Sequence, residues 1–291
     1  MAKCAATNAA LVGHSQERGR GGRSAAVLGE GVWHLVVDCH VHLHGQGRTA
    51  MENVDFRLGY ADRLGIDVLI VSLGETLKHQ PTADDIEADN NWVRDAVEYC
   101  PERISGLVYA SPNHIDQTLD AMERHIHDGP MVGLKMWVCR RCSDPGYDAI
   151  VEYAVELGVP IQQHTWMKST GNLETESTPW DLLELARRHP RAQFVMAHSG
   201  GNWEKGIRIV AEQPNIAIDL CGGDPEAGQT EYAVSYLGAE RVLFGSDATG
   251  RSFASQLGKV TGAELTDAQR QLILGGNASR LFAPEEHSGA E

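Results

Sequence analysis

From Val32 onward, short apolar runs alternate with longer amphipathic stretches along the chain. The apolar runs are rich in Val, Ile and Leu, which is typical of parallel strands that are buried on both faces. The stretches between them space apolar residues three and four apart, which predicts helices with one buried face. Eight apolar runs can be counted, and they begin near Val32, Ile66, Ile104, Met131, Val159, Ala192, Ile216 and Val242.

Eight strand–helix repeats predict an α/β fold in which a parallel sheet closes into a (β/α)8 TIM barrel. The boundaries agree with this, because Thr82 and the pair Thr178-Pro179 suit helix starts and Gly158 suits a helix end. An open, doubly wound sheet is the alternative. No glycine-rich dinucleotide fingerprint follows the first apolar run, which favours the barrel.

The barrel pattern indicates a single domain over residues 31–285. Residues 1–30 differ from it in composition, since they are rich in Ala, Gly, Ser and Arg and contain the basic cluster Arg18-Gly19-Arg20-Gly21-Gly22-Arg23. No apolar segment of signal-peptide length follows that cluster. We therefore expect residues 1–30 to form a disordered N-terminal tail.

Charge and composition narrow the class of partner. The formal net charge is −15, from 40 acidic and 25 basic residues, which opposes binding to nucleic acid or to an anionic membrane surface. No apolar stretch approaches the ~20 residues of a membrane span. The six cysteines are scattered, which indicates free thiols in a reducing compartment. We expect a cytoplasmic protein that acts on a small molecule, and a homodimer is left open.

Polar side chains with metal-binding chemistry lie where several apolar runs end. His40 and His42 are one residue apart and therefore share one face of the first strand. Later runs end at Lys135, His164, His198 and Asp247. The carboxyl ends of barrel strands meet at one mouth, so these side chains are expected to converge. Histidine and carboxylate ligands suit zinc, and also manganese, iron or cobalt.

This ordered set resembles the amidohydrolase superfamily, and specifically the amidohydrolase-2 group that includes aminocarboxymuconate semialdehyde decarboxylase. The resemblance covers about residues 36–282 and rests on Asp38-Cys39-His40-Val41-His42, His164, His198-Ser199-Gly200-Gly201, Phe244-Gly245-Ser246-Asp247 and Gly276-Asn277-Ala278. It implies a site for one metal ion with His40, His42, His164 and Asp247 as ligands. It also implies that His198 orients or deprotonates a metal-bound water, and that Asp247 can move a proton as well as touch the metal.

Lys135 leaves two alternatives open. In binuclear members of the superfamily a lysine of the fourth strand is carboxylated and bridges two metals, and His164 and His198 would then bind the second ion. An unmodified lysine could instead hold a substrate carboxylate. Arg140, Arg141 and Arg251 follow the fourth and eighth runs and are further candidates for binding an anionic substrate, with a solvated loop as the alternative for each.

The main functional prediction is a metal-dependent hydrolase of a small amide, ester or lactone. In it a metal-activated water attacks the carbonyl, and His198 or Asp247 moves the proton. The alternative is a metal-dependent, non-oxidative decarboxylase of a small unsaturated or aromatic carboxylic acid, which the fold alone does not distinguish. One divalent ion is expected, with Zn2+ first and Mn2+, Fe2+ or Co2+ as alternatives. A barrel without catalysis is disfavoured, because every expected ligand is present.

Overall fold

The computed structural model describes residues 35–44, 47–74 and 78–283. The tail expected for residues 1–30 lies outside the described residues. Within the described ranges, eight short parallel strands form one sheet in sequential order. The strands are β1 (Val37–His42), β2 (Val68–Ser72), β3 (Ile104–Ala110), β4 (Gly133–Met136), β5 (Ile161–Gln163), β6 (Phe194–Met196), β7 (Ile216–Asp219) and β8 (Val242–Leu243).

The sheet closes on itself where the end of β8 meets β1. The backbone N–H of Cys39 donates to the carbonyl of Phe244 over 3.0 Å, and the N–H of Asp247 donates to the carbonyl of His40 over 2.8 Å. Val41 and Ala248 add a parallel bridge next to these bonds. The prediction of a (β/α)8 barrel is confirmed, and the open doubly wound sheet is not observed.

Helices alternate with the strands and cover the outside of the barrel. Their buried faces pack on the outward side chains of the strands, as Ile150, Val151 and Ala154 do. The helices in the described ranges are α1 (Ala50–Leu64), α2 (Ala83–Tyr99), α3 (Ile115–Met122), α4 (Asp148–Glu156), α5 (Pro179–Arg188), α6 (Trp203–Val210), α7 (Gln229–Leu237), α8 (Phe253–Thr261), α9 (Asp267–Gln271) and α10 (Asn277–Leu281).

Two of these helices begin where the sequence predicts. Thr82 precedes α2 and Thr178 precedes α5, and each forms a capping box with an aspartate three residues later, Asp85 and Asp181 respectively. Pro179 occupies the first turn of α5, where its missing N–H has no helical partner to lose. The caps fix where the loops at the mouth of the barrel end.

β1 carries both histidines, as the sequence predicts. The strand continues to His42, which pairs in register with Ser72 of β2. The register shifts between Asp38 and Val41, so the strand is irregular there. Both histidines are thereby held by strand backbone rather than by a loop.

Two further expectations concern the whole chain. None of the helices in the described ranges is both long and apolar enough to cross a membrane. Four cysteines are buried free thiols, and they are Cys39, Cys139, Cys142 and Cys221. Cys100 is disulfide-bonded, which departs from the expectation of six free thiols.

Candidate metal centre

His40 is fully buried in β1, and the end of β7 fixes its ring. Its Nδ1 lies 2.8 Å from Oδ2 of Asp219. Burial opposes ionisation of Asp219, but the contacts with His40 outweigh it and lower the pKa of the carboxyl. Because a carboxylate only accepts hydrogen bonds, His40 carries its hydrogen on Nδ1 and a lone pair on Nε2. Burial also lowers the pKa of His40 to about 4, so the ring is neutral.

His42 is oriented in the same way by β2. Its Nδ1 lies 3.1 Å from the carbonyl oxygen of Ser72, which can only accept, and 3.4 Å from the hydroxyl of the same residue. The shorter contact to the carbonyl favours a lone pair on Nε2 of His42, which lies 3.2 Å from Nε2 of His40. Oδ1 of Asp247 lies 3.4 Å from Nε2 of His42 and 4.0 Å from Nε2 of His40.

These three atoms, Nε2 of His40, Nε2 of His42 and Oδ1 of Asp247, are named the cradle below. All three are hydrogen-bond acceptors, and they meet without a hydrogen between them. Converging lone pairs repel one another unless a cation lies among them. Two imidazoles and one carboxylate suit a divalent transition metal or zinc, so the residues present fit the expected ion.

Lys135 places an amine at the edge of the cradle, as its position at the fourth strand predicts. Its side chain is fully buried, and Nζ lies 2.8 Å from Nε2 of His40 and 2.9 Å from Oε1 of Gln162. Burial lowers the pKa of the amine. Gln162 is itself fixed, because its amide donates to the carbonyl of Cys39 over 2.8 Å.

His164 and His198 form a second pair beside the cradle. Nε2 of His164 lies 3.1 Å from Oε1 of Glu176, and its Nδ1 lies 3.1 Å from Nε2 of His198. Burial opposes ionisation of Glu176, but hydrogen bonds from His164 and Lys168 outweigh it and lower its pKa to about 2. Nε2 of His164 is therefore a donor, and Nδ1 is the atom left to accept a hydrogen or bind a metal. A ligand role for His164 stays a prediction.

The same reasoning assigns the hydrogen of His198. Sγ of Cys221 lies 3.2 Å from its Nδ1, and burial raises the pKa of that thiol well above its usual value. Nδ1 of His164 is left to accept and lies 3.1 Å from Nε2 of His198, so the hydrogen of His198 is on Nε2 and is directed at that atom. Burial lowers the pKa of His198 well below its usual range, so the ring is neutral.

The backbone that carries two of these side chains is strained. His198 has φ 61° and Asp247 has φ 58°, in the left-handed region that non-glycine residues seldom adopt. Oδ1 of Asp219 accepts the N–H of His198 over 2.8 Å and so holds that turn. Gly222 packs against the ring, since a Cβ there would lie 2.5 Å from Nδ1 of His198. Strain of this kind is commonly kept at functional sites.

Asp38 has a supporting place in this region. It is fully buried, and its Oδ1 accepts the backbone N–H of His40 over 3.1 Å and that of Ser246 over 2.9 Å. Burial raises the pKa of its carboxyl to about 7. Asp38 therefore ties β1 to the loop that carries Asp247.

Sequence reasoning missed two residues of the site. Asp219 ends the seventh apolar run, so a search for the polar residue at the end of every run would have found it. Glu176 lies within the loop between β5 and α5, where no periodic pattern marks it, and it is nevertheless 2% exposed.

The three arginines proposed to bind an anion lie in loops at the mouth. Arg140 lies 3.4 Å from Asp144, and Arg141 donates to the carbonyl of Glu174 over 2.8 Å. Arg251 donates to the carbonyl of Gly250 and lines a groove against α1. These contacts do not bring the arginines to the cradle, and their binding role stays a prediction.

Trp166 supplies an aromatic surface next to the two histidines outside the cradle. Its ring centroid is 4.7 Å from that of His198 and 6.2 Å from that of His164, on which it stacks. The same side chain lines a cleft of about 510 Å³ together with Lys168 and Asn202.

The chain is a (β/α)8 barrel in which two histidines of β1 and an aspartate after β8 meet at one mouth and could hold a metal ion. The amidohydrolase family model (Amidohydro_2) matches residues 37–283. The chain belongs to this family, which confirms the resemblance seen in the sequence. No curated protein sequence matches the chain.

Solved structures share the fold at low sequence identity. A 2,6-dihydroxybenzoate decarboxylase from Rhizobium is 16% identical with a TM-score of 0.71, over 86% of this chain and 99% of that one. A dihydroxybenzoic acid decarboxylase from Polaromonas sp. JS666, with manganese and 2-nitroresorcinol bound, is 16% identical with a TM-score of 0.69, over 86% and 97%. A 4-oxalomesaconate hydratase from Rhodopseudomonas palustris is 17% identical with a TM-score of 0.63, over 85% and 95%.

These comparisons contradict the main functional prediction. Two of the three similar proteins are decarboxylases of aromatic acids and the third is a hydratase, so the hydrolase prediction is wrong and the decarboxylase alternative fits better. The error has a physical reason. The barrel is common to proteins with different reactions, and the choice among them lies in the groups that surround the substrate.

Proposed function

We propose that this protein is a divalent-metal-dependent, non-oxidative decarboxylase of a small hydroxylated aromatic carboxylic acid. The observation that carries the proposal is the cradle at the mouth of the barrel, with the buried amine of Lys135 on one side and His198 close by. The similarity to two decarboxylases of dihydroxybenzoic acids supports the substrate class. The net charge of −15 makes a local cation necessary for holding an anionic substrate.

Nε2 of His40, Nε2 of His42 and Oδ1 of Asp247 would hold the ion, and Nδ1 of His164 is the fourth candidate. When bound, the ion would supply positive charge that attracts the carboxylate and phenolic oxygens of the substrate. Mn2+ is the first ion to test, because the Polaromonas structure contains manganese. The earlier preference for Zn2+ remains a prediction to be decided by the same experiment.

Decarboxylation breaks the bond between the ring and its carboxylate, and the ring carbon then takes up one proton for each CO2 released. His198 carries a hydrogen on Nε2, which faces Nδ1 of His164. Because a neutral imidazole that lost this hydrogen would become an imidazolate, we assign His198 as a hydrogen-bond donor to the substrate. We assign Asp247 as the group that takes a proton from the substrate phenol or from water and delivers it to the ring carbon. Lys135 would attract the anionic group, and the face of Trp166 offers a surface for the aromatic ring.

The test is turnover of 2,6-dihydroxybenzoate by protein that has been freed of metal and reloaded with Mn2+ or Zn2+. We expect release of CO2 and, in D2O, one deuterium on the vacated ring carbon. His198→Asn should lose this activity while still binding the ion, and Asp38→Asn is the control for changing a buried polar group of the same region. Release of acid from an amide, ester or lactone, or addition of water to an unsaturated acid, without CO2 from any aromatic acid, would contradict the proposal.

A further inference from the structure

Nε2 of His40 has one lone pair and two partners that compete for it. The hydrogen on Nδ1 is given to Asp219, so a single lone pair remains on the opposite nitrogen. That nitrogen belongs to the cradle, and Nζ of Lys135 lies 2.8 Å from it. One lone pair can accept a hydrogen from the amine or bind a metal ion, but it cannot do both.

Lys135 is held in this place by a closed network of four fully buried side chains. Asp219 accepts from His40, His40 accepts from Lys135, and Lys135 donates to Gln162 over 2.9 Å. Nε2 of Gln162 lies 3.4 Å from Oδ2 of Asp219, which closes the ring. All four side chains are fully buried, so each of these hydrogen bonds satisfies a polar group that burial would otherwise leave without a partner.

The same contacts argue for an unmodified amine. Nζ of Lys135 faces two acceptors, Nε2 of His40 and Oε1 of Gln162, and therefore needs at least two hydrogens. A carboxylated lysine keeps one hydrogen on Nζ and would leave one of these buried acceptors without a partner, which is unfavourable. The alternative of a bridging, carboxylated Lys135 does not fit this arrangement.

We propose that Lys135 competes with the metal ion for the lone pair on Nε2 of His40. This competition weakens the binding of the ion, and the unmodified lysine limits the site to one ion. Metal binding breaks one hydrogen bond of Lys135 and leaves the bond to Gln162. The released N–H is then available, next to the ion, for the anionic group of the substrate. The inference rests on the cradle of the proposed function, but it concerns metal affinity and not the reaction.

The experiment compares the Mn2+ affinity of the full chain with that of Lys135→Met, measured by calorimetry and by the electron paramagnetic resonance of bound Mn2+. Loss of one competing hydrogen bond should tighten Mn2+ binding by about tenfold. Lys135→Gln is the second variant, because its shorter amide stays polar toward Gln162 without reaching His40. Lys259→Met is the matched control, since Lys259 is a buried lysine whose ammonium is held by the carbonyls of Leu220 and Gly222.

Tighter binding of one ion by either Lys135 variant, with the Lys259 variant unchanged, supports the inference. Unchanged or weaker binding by the folded variants, or two ions in the parent protein that fall to none on substitution, overturns it. Decarboxylase assays on the same samples separate the two claims. A parent protein that binds Mn2+ but releases no CO2 refutes the proposed function alone, whereas an active parent with unchanged affinity in the variants refutes the role of Lys135 alone.

Discussion

The substitution Asp219→Asn tests whether the support behind His40 determines metal binding. Oδ2 of Asp219 accepts the Nδ1 hydrogen of His40 over 2.8 Å, and Oδ1 accepts the N–H of His198 over 2.8 Å. An asparagine has one acceptor and one donor in place of these two acceptors. If its oxygen faces His40, its NH2 group meets the N–H of His198. If the amide turns round, its NH2 forces His40 to move its hydrogen to Nε2, which removes a lone pair from the cradle.

Either orientation weakens the site by an amount that can be estimated. Loss of a carboxylate behind a metal-binding histidine commonly lowers metal affinity by about 10- to 100-fold. That corresponds to about 1.4 to 2.8 kcal/mol of binding free energy. Because both partners here are fully buried and the carboxylate is ionised, the upper part of this range is expected.

The assay is competition for Mn2+ between the protein and a chelator of known affinity, with folding checked by circular dichroism. Asp38→Asn is the matched control, since Asp38 is an equally buried aspartate nearby whose Oδ1 accepts the backbone N–H groups of His40 and Ser246, and an amide oxygen can accept them in the same way. We expect the control to keep its Mn2+ affinity within about threefold, in line with the uncertainty of such effects. Wild-type affinity in a folded Asp219→Asn protein would refute the assignment of the His40 hydrogen to Nδ1.

Three further predictions concern other parts of the site. Glu176→Gln should weaken Mn2+ binding by about tenfold if His164 is a ligand, and unchanged affinity in the chelator assay would remove His164 from the ligand set. Trp166→Ala should lower kcat/KM for an aromatic acid by about tenfold, because one ring contact is lost, and should leave the Mn2+ affinity unchanged. An equal fall in kcat/KM and in Mn2+ affinity would indicate that Trp166 has only a structural role. Mn2+ at about 100 times its Kd should raise the free energy of unfolding by about 2.7 kcal/mol, and this gain in a urea titration should disappear in Asp247→Asn.

How much of the site the sequence can predict depends on how far apart along the chain the interacting residues are. The shared face of His40 and His42 follows from strand geometry over two residues, and it is observed as a 3.2 Å separation of their Nε2 atoms. The position of Asp247 follows from the rhythm of the strands, because the ends of parallel strands meet at one mouth. By contrast, His40 and Asp219 are 179 residues apart, and their contact depends on how the barrel closes.

The choice of reaction also lay beyond the sequence pattern. The cradle ligands are consistent with hydrolysis, decarboxylation or hydration, so the pattern favoured the commoner chemistry of an activated water and the prediction was wrong. These reactions differ in the side chains around the metal ion and in the positions of their hydrogens. A buried lysine against His40 and a hydrogen on Nε2 of His198 become visible only when three or four strands are placed side by side.

The sequence by itself therefore determined the eightfold barrel, the starts of α2 and α5, and the residue types gathered at the mouth, because each follows from periodicity or from contacts between near neighbours in the chain. The tertiary structure alone decided which nitrogen of each histidine carries the hydrogen, since that depends on Asp219, Ser72 and Glu176 from three other segments. It also placed the lysine of β4 against His40 at the edge of the cradle. Those assignments are what turn a set of ligands into a site with a defined chemistry.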